Sequence, residues 1–469
     1  MPKGTGLHRC EPGPWGGWLM PSDDCGPVPE FLGAPEDPPP LPRPSEISRG
    51  RRTSRTSNLA SGSISTELTA WVCSQGFLSL DLYDPSLRRG CTLPQLLRGF
   101  GRHLRASQAA PGELDEVRQV GTISEFMSHS WSDFWLAKLF ALFLLFNGWQ
   151  AVVAAIAGGL LAFVLALAGV LPWWADLEWT LDDGTVVVQG SAAWSTVFGC
   201  LVYFLALVSW HYTPARFGGG RSKAVFFDKL CIDQHNRVRR EAGIKSLGAF
   251  VNSSDRFLLL WSPGYFSRLW CTLEVATFMH ARQKGSSTGT PEWGRALEFR
   301  PLQLSNMTFV AMLAMQAILV LFKAGSYMTT TLHVPRLAYL VTAQVLPSIA
   351  FCAFTVHFLG RYTRDRAALD TQLKEFDIQK SRCTKEEDRS IIYESVRDWF
   401  GSLDTFNAQV RTHLRELVLT KTSGASRFSS RFTAMVGTPL LLNALDWSAS
   451  YLALEDRAFG VAATLSVFS

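Results

Sequence analysis

The stretch of sequence that decides the fold is RFLLLWSPG, residues 256–264. Its continuous apolar run ends in a Ser-Pro-Gly turn, which is typical of a strand buried on both faces. A second run of this kind, AVFFD at 224–228, ends in a carboxylate. Helical patterns at 237–252 and 266–282 follow the two runs, and this alternation predicts an α/β fold with a parallel sheet. Two further candidate strands are ISEFMS at 123–128 and LEFRPL at 297–302.

Long runs without charged side chains surround these strands. Leu139 to Leu171 contains no Asp, Glu, Lys or Arg, but one span needs only about 20 apolar residues. We therefore divide this run at Asn147-Gly148 into a buried or interfacial helix and a span. Soluble helices carry a charged face, so runs that lack one indicate contact with lipid. The sequence predicts an integral membrane protein with four spans, at about 150–171, 192–212, 301–322 and 337–360.

The charges that flank these spans predict their orientation. The loop 172–191 is acidic and holds no basic residue, whereas arginines follow the second and the fourth span. Basic flanks stay on the cytoplasmic side, so both termini and residues 213–300 are predicted to be cytosolic. Lys323 and Arg336 are exceptions to this pattern. No apolar signal region precedes the first run, so the first span is expected to serve as an internal signal anchor.

Charge and cysteine usage exclude several classes of function. The formal net charge is +5, from 45 basic and 40 acidic residues, which is too small an excess to argue for a nucleic-acid partner. The nine cysteines are scattered and form no CxxC pair, so neither a zinc site nor a disulfide framework is expected. The spans carry almost no ionisable residues, which argues against a transport pathway.

A set of short motifs follows a recognisable order within residues 224–281. These motifs are FD at 227–228, GI at 243–244, NSS at 252–254, WSPGYFSRLWC at 261–271, and Glu274 four residues after Trp270. Together they resemble a TIR domain. The segment FDKLCIDQ at 227–234 also resembles the signature of the fungal heterokaryon-incompatibility (HET) domain, a TIR relative. The later Trp-x-x-x-Glu element of that family is matched by the same Trp270 and Glu274.

The resemblance implies a flavodoxin-like parallel sheet that is split by a transmembrane hairpin. A TIR domain joins its first two strands through one helix, but here residues 132–223 intervene and carry two spans. We expect the strands 123–128 and 224–228 to be adjacent and parallel, because a hairpin whose ends return close together costs little as an insertion. The last TIR strand and helices are missing, since the third span follows Leu302 almost at once.

The resemblance also implies where a site would lie. Ligands of such sheets bind at the carboxyl ends of the strands, where Ser128, His129 and Asp228 are expected. Glu274 would face the same crevice from the following helix. The resemblance implies that a Glu at this place attacks or stabilises the ribose of NAD as nicotinamide leaves, since a carboxylate stabilises oxocarbenium character. Glu274 is thus the predicted catalytic residue, with Ser128, His129, Asp228 and Trp270 binding substrate; NAD is a substrate, and neither a cofactor nor a metal is required.

Three functional readings follow. The favoured one is a membrane-anchored TIR/HET-like signalling protein whose cytosolic domain self-associates or hydrolyses NAD. In the first alternative the same fold is an interaction module without chemistry, Glu274 belongs to a structural hydrogen-bond network and Trp270 is a core anchor. The second alternative is a transporter or channel in which the TIR-like domain is regulatory. The expected partners are the lipid bilayer and further copies of the domain.

The remaining segments complete the predicted organisation. Thr384 and Glu387 form a candidate capping box ahead of a helix that Gly401 would end, and 434–468 is a candidate re-entrant or fifth span. The six predicted parts are a disordered tail at 1–64, a pre-domain region and first strand at 65–131, an interfacial helix and transmembrane hairpin at 132–212, the main TIR-like part at 213–302, spans three and four at 303–360, and a cytosolic helical region at 361–469.

This organisation contains a geometric difficulty. The hairpin should leave the amino-terminal edge of the sheet, whereas the third span starts beside the carboxyl-terminal edge. Both edges cannot lie on the bilayer if the strands stand upright. We therefore expect the sheet to lie tilted or nearly flat over the membrane, with the link 213–223 extended along it at roughly 3.3 Å per residue.

Overall fold

The structure is a computed structural model that describes residues 80–82, 84–105, 113–180, 186–217, 223–284, 293–331, 336–422 and 430–453. The predicted tail at 1–64 and the C-terminal residues 454–469 lie outside these residues. Helices predominate, and they accompany a six-stranded mixed sheet and a two-stranded hairpin.

The strands and helices have the following bounds. The strands are β1 (Arg89–Thr92), β2 (Arg118–Gln119), β3 (Ile123–His129), β4 (Ala175–Thr180), β5 (Val186–Ser191), β6 (Ala224–Phe226), β7 (Ser254–Trp261) and β8 (Leu297–Pro301). The α-helices are α1 (Leu93–Leu96), α2 (Arg98–Arg105), α3 (Trp135–Phe146), α4 (Gly148–Leu167), α5 (Trp194–Ser209), α6 (Asp228–Cys231), α7 (Arg237–Lys245), α8 (Leu247–Asn252), α9 (Leu269–Lys284), α10 (Trp293–Ala296), α11 (Leu302–Thr331), α12 (Arg336–Tyr339), α13 (Leu346–Lys374), α14 (Glu386–Phe400), α15 (Leu403–Gln409), α16 (Arg415–Lys421) and α17 (Ser430–Leu452). Short 3-10 helices lie at Pro85–Leu87, Glu113–Glu116, Trp210–Tyr212, Ala215–Phe217, Tyr265–Ser267 and Ile378–Lys380, and π-helices at Leu340–Val345 and Val410–Leu414.

The six-stranded sheet has the order β2-β1-β6-β3-β7-β8. Four adjacent strands of this sheet are mutually parallel: β6, β3, β7 and β8. Glu125 lies opposite Val225 and Phe126 opposite Phe226, so the predicted pairing of the two strands that flank the hairpin is confirmed. The remaining strands are β1, which pairs antiparallel with β6, and β2, which pairs antiparallel with β1 at the edge of the sheet; neither was predicted.

Aromatic side chains form the centre of the sheet's core. The ring of Phe126 stacks on Phe226 at a centroid distance of 5.0 Å and on Phe257 at 5.5 Å. Phe257 in turn stacks on Phe278 of α9 at 4.8 Å. All four rings are buried, as expected for central strands that are covered on both faces.

Three helical segments are long and apolar enough to cross a membrane: Gly148–Leu167, Trp194–Tyr212 and Leu302–Gly325. They correspond to the first three predicted spans. The predicted fourth span, 337–360, is not among these segments of the described chain. There a π-helix precedes α13, so only residues 346–360 of this α-helix come before Arg361 and the charged half of the helix.

Helix α3 connects the carboxyl edge of the sheet to its amino edge. It begins soon after β3 ends and returns to Phe146, whose ring lies 5.3 Å from the Lys223 ammonium just ahead of β6. Asn147 then separates α3 from α4 and donates to Leu207 O at 2.7 Å, while its Nδ2 lies 2.9 Å from His211 Nδ1. Both ends of the hairpin therefore meet at the amino edge, and this edge faces the apolar helices.

Helix α11 removes the geometric difficulty that the sequence posed. It begins directly after β8, at the carboxyl edge, and its first turns pack along α3, with Phe140 and Phe309 stacked at 4.0 Å. Its 30 residues extend about 45 Å, enough to cross both the height of the sheet and most of a bilayer core of about 30 Å. The sheet can thus stand upright on its amino edge, and the flat arrangement that the sequence led us to expect is not needed.

Helix α17 lies against α4 and α5, and it contains part of the segment predicted as re-entrant or as a fifth span. Its Asp446 carboxylate accepts hydrogen bonds from the Ser195 and Thr196 amides at 2.9 and 3.0 Å. Lys323 Nζ lies 3.8 Å from this carboxylate and donates to Ala192 O at 3.0 Å. The two charged side chains are 1% and 4% exposed, so they form a buried ion pair at one end of the apolar helices.

The C-terminal helices lie beside the sheet and agree with the predicted pattern except at one cap. Gly401 has a φ of 80° and ends α14, as expected. Helix α14 begins after Lys385, and the side chain of this N-cap residue forms no capping hydrogen bond. The capping box predicted from Thr384 and Glu387 is therefore not the feature that starts the helix. Phe406, Val410 and Leu414 recur every four residues, which puts them on one face of a helix, and all three are buried.

Candidate active site at the carboxyl edge of the sheet

Three side chains from different elements converge at the carboxyl ends of β3 and β7. Ser128 belongs to β3, Tyr265 to the turn after β7, and Glu274 to α9. Ser128 Oγ donates a hydrogen bond to Glu274 Oε2 and shares another with Tyr265 Oη. Ser128 and Tyr265 are buried, whereas Glu274 is half-buried. The structure thus brings together two of the predicted site residues and adds a tyrosine that sequence reasoning missed.

The local sequence explains why Tyr265 and Glu274 reach this point. The Ser-Pro-Gly turn ends β7, and the Tyr265 amide donates to Ser262 O at 3.0 Å, which closes the turn. Leu269 then starts α9, with its amide bonded to Arg382 O at 3.0 Å. One and a half turns separate Leu269 from Glu274, so the glutamate lies on the first part of the helix, next to the strand ends.

Burial dominates the electrostatics of Glu274. It raises the pKa of the carboxyl from its usual value near 4.5 to about 8, because ionisation in a poorly solvated place is costly. The hydrogen bond from Ser128 lowers this pKa, the charge of Asp228 raises it and Arg268 lowers it. Glu274 is therefore mainly protonated at neutral pH and ionises under mildly alkaline conditions.

Asp228 is the second carboxyl at this edge. It follows β6 and accepts hydrogen bonds from Trp131 Nε1 at 3.0 Å and from the Lys229 amide at 2.7 Å. Burial raises its pKa to about 6, against the lowering effect of these bonds. Two carboxyls with raised pKa values at one edge are typical of a functional site, although buried ion networks produce such shifts too.

Three charged residues of the edge were missed by sequence reasoning. Lys138 is buried in α3, and burial lowers its pKa to about 8, while Asp133 and Asp228 raise it. Burial raises the pKa of Asp133. Arg268 donates to Ser130 Oγ at 3.4 Å. A signal for Lys138 was present in the sequence, because it is the single charged residue of the apolar stretch 135–146.

His129 and Trp270 lie at the edge but do not join the Ser128–Glu274 contact. His129 is buried between Trp131 and Phe227, with ring centroids 5.0 and 5.3 Å away. Burial, followed by the charge of Lys138, lowers the pKa of its imidazole well below the usual value. Trp270 Nε1 donates to Asp388 Oδ2 of α14 at 3.2 Å, so this indole contacts the C-terminal helices.

The described residues contain no group of three or more His, Cys, Asp or Glu side chains placed to hold a metal ion. Comparisons of the whole chain with family models, curated proteins and solved structures found no match. The resemblance to TIR and HET domains therefore rests on the sequence motifs.

The raised pKa of Glu274 predicts a pH dependence of stability. Between the usual pKa near 4.5 and about 8, the folded protein holds a proton that the unfolded chain releases, so raising the pH favours unfolding. The melting temperature of the wild type should fall relative to that of Glu274→Gln as the pH rises from 5 to 8. Asp228 is present in both proteins, so the difference between the two curves isolates Glu274. Parallel melting curves across this range would show that the carboxyl titrates normally.

Proposed function

We propose that this protein is a membrane-anchored signalling protein whose α/β domain is TIR/HET-like and cleaves NAD between nicotinamide and ribose. The observation that carries the proposal is the contact between Ser128 and Glu274, formed where the predicted catalytic carboxyl meets the first parallel strand. Ser128 and Glu274 lie in two segments of the chain that the transmembrane hairpin separates, and the fold brings them into contact.

The order of the parallel strands supports this proposal. In chain order β3, β6, β7 and β8 are the first to fourth strands, and they are arranged 2-1-3-4 in the sheet. Flavodoxin-like sheets share this order and bind ligands where the first and third strands lie side by side. Ser128 and Tyr265 lie at this point, at the ends of β3 and β7.

The chemistry needs one carboxylate and one water molecule. The bond between C1′ of the ribose and the nicotinamide nitrogen breaks, and its electron pair leaves with neutral nicotinamide. Positive charge develops on the ribose, and ionised Glu274 stabilises it. Water then adds to C1′ and loses a proton, which gives ADP-ribose. Ser128 orients Glu274 by donating to it and favours its ionised form, because the hydrogen bond lowers the carboxyl pKa.

An assay of nicotinamide release tests the proposal. The full chain, purified in detergent, is incubated with NAD at pH values from 6 to 9, and nicotinamide is measured by chromatography. Since the reaction needs ionised Glu274, turnover should rise with pH and level off above about 8. Absence of nicotinamide release across the whole range rejects the enzymatic function.

A second candidate function is an interaction module of the same fold without chemistry. Two observations favour it: the Glu274 carboxyl is protonated near neutral pH, and it is hydrogen-bonded to Ser128. A carboxyl in this state could serve as a structural group. This candidate predicts concentration-dependent self-association in light scattering together with a negative NAD assay.

The proposed signalling role places the sheet in the cytosol. Glycosylation acceptor sequences inserted at 286–290, between α9 and α10, and at 182–184, between β4 and β5, report the two sides during synthesis with microsomes. We expect modification of the insertion at 182–184 alone. Arginines flank the apolar helices on the side of the sheet, whereas the loop that contains β4 and β5 is acidic. Modification at 286–290 instead would reverse the orientation.

A further inference from the structure

An open groove of about 550 Å³ lies between α13 and the helical segment 410–421. Three arginines line it: Arg366 from α13, Arg411 from the π-helix, and Arg415 from α16. Glu416 is the acidic residue among its lining side chains. The volume is that of a typical small-molecule site. We propose that this groove binds a soluble ligand that carries two or more phosphate groups.

Two of the arginines are held in place before any ligand arrives. Arg415 Nε lies 2.7 Å from Asp370 Oδ1, and Arg411 Nε donates to Phe376 O at 2.8 Å. Both bonds described for these guanidinium groups use the Nε nitrogen. The terminal nitrogens of both side chains can therefore donate to a ligand in the groove, and side chains that are already fixed lose little entropy on binding.

The charge of the groove selects the chemical class of the ligand. Three guanidinium groups face one carboxylate, Glu416, inside the groove, with Asp370 already bonded to Arg415. Guanidinium groups remain charged at all physiological pH values and bind phosphate oxygens in pairs. A ligand with several phosphates offers enough acceptor oxygens to bind the N–H donors of three guanidinium groups, whereas a single carboxylate does not.

The position of the groove indicates a soluble ligand and argues against a lipid headgroup. Arg366 also lines a small cavity with Trp261 and Pro301, the last residues of β7 and β8, so the groove lies at the carboxyl edge. The opposite edge faces the apolar helices. The eight residues of β7 place the two edges roughly 26 Å apart at 3.3 Å per residue. If the bilayer covers the opposite edge alone, headgroups, which extend about 5–8 Å beyond the hydrocarbon core, do not reach Arg366.

Titration with tripolyphosphate tests the site. The detergent-purified full chain is titrated calorimetrically with this probe, and the variants Arg366→Gln and Arg411→Gln are compared with Arg397→Gln, an exposed arginine of α14 outside the groove. We expect each groove variant to weaken binding about tenfold and Arg397→Gln to have little effect. Arg366→Lys keeps the positive charge but loses the paired donors of the guanidinium group, so it should weaken tripolyphosphate binding by an intermediate factor.

A variant with the opposite expected effect guards against misfolding as an explanation. Glu416→Gln removes the opposing charge and should tighten tripolyphosphate binding severalfold, which a destabilised protein would not do. Absence of binding by the wild type, or an equal loss in Arg397→Gln, overturns the site. A second arm uses nanodiscs with and without a phosphoinositide lipid. Binding of that lipid in place of tripolyphosphate overturns the assignment to a soluble ligand.

Discussion

Replacing Glu274 by glutamine is expected to reduce NAD cleavage at least about a hundredfold while the protein still folds. Glutamine keeps the size of the side chain and can accept the hydrogen bond from Ser128, but it cannot carry the negative charge that stabilises the developing cation. Its amide is neutral, and Glu274 is itself mainly protonated near neutral pH, so the folded structure should tolerate the change. Nicotinamide release at pH 8 to 9, where the wild-type carboxyl is ionised, gives the clearest comparison.

Glu298→Gln is the matched control for this experiment. Glu298 lies on β8, is partly exposed and pairs with Arg300 at 2.7 Å, away from Ser128 and Asp228. This variant makes the same chemical change in the same sheet and should keep its turnover. Full turnover in a well-folded Glu274→Gln protein would remove Glu274 from the mechanism, and equal losses in both variants would point to a general effect on the sheet.

The second large effect is expected from breaking the buried pair of Lys323 and Asp446. In Asp446→Leu the lysine charge stays buried without its partner, and the Ser195 and Thr196 amides lose their acceptor. Ala193, at the N-cap of α5, offers no side-chain acceptor in its place. We expect a loss of about 3–5 kcal/mol in the free energy of unfolding, measured by reversible denaturation in detergent micelles.

The double variant Lys323→Met/Asp446→Leu separates charge from packing. Because it buries no unpaired charge, it should recover a large part of the stability that Asp446→Leu loses. Asp398→Leu, at an exposed position of α14, is the control and should have little effect. If Asp446→Leu proves as stable as the wild type, the pair does not hold the apolar helices together.

The parallel part of the sheet could be predicted because its strands are unusual in sequence. The runs 123–128, 224–228, 256–261 and 297–302 are short, largely apolar and separated by helical patterns, and all four are present in one sheet. The antiparallel strands β1 and β2 could not be predicted, because RGCT and RQ carry no apolar periodicity. Strand β1 is positioned by a tertiary contact, its pairing with β6, and β2 is in turn positioned by pairing with β1.

Hydropathy located three apolar helices but could not show how they are joined to the sheet. The first turns of α11, LQLSNMT at 302–308, carry no charge and lead into the apolar run at Phe309, which stacks on Phe140 of α3. The run therefore has no charged boundary that would mark where the helix leaves the sheet. Lys323 is an exception to the predicted charge pattern, and Asp446 is an acidic residue within the apolar segment 434–468. Their pairing across the chain accounts for both, and neither residue alone reveals it.

Part of the candidate site could likewise be predicted. Motif order predicted Ser128 and Asp228 at strand ends and Glu274 on the helix that follows the third strand, and the structure has them at one edge. The contributions of Lys138 and Tyr265 depend on how α3 and the turn after β7 fold back onto that edge. Spacing along the chain cannot give such distances, so the sequence predicted the main carboxyls but not their surroundings.

Helix α11 has a mechanical consequence. One continuous α-helix begins directly after the last residue of β8 and extends beyond Lys323, with no break between the carboxyl edge of the sheet and the far end of the apolar helices. A rod of about 45 Å that tilts by about 5° moves one end by about 4 Å relative to the other. Thickness or tension of the surrounding membrane, acting on the distal half of this rod, would therefore shift the strand end beside Trp261 directly.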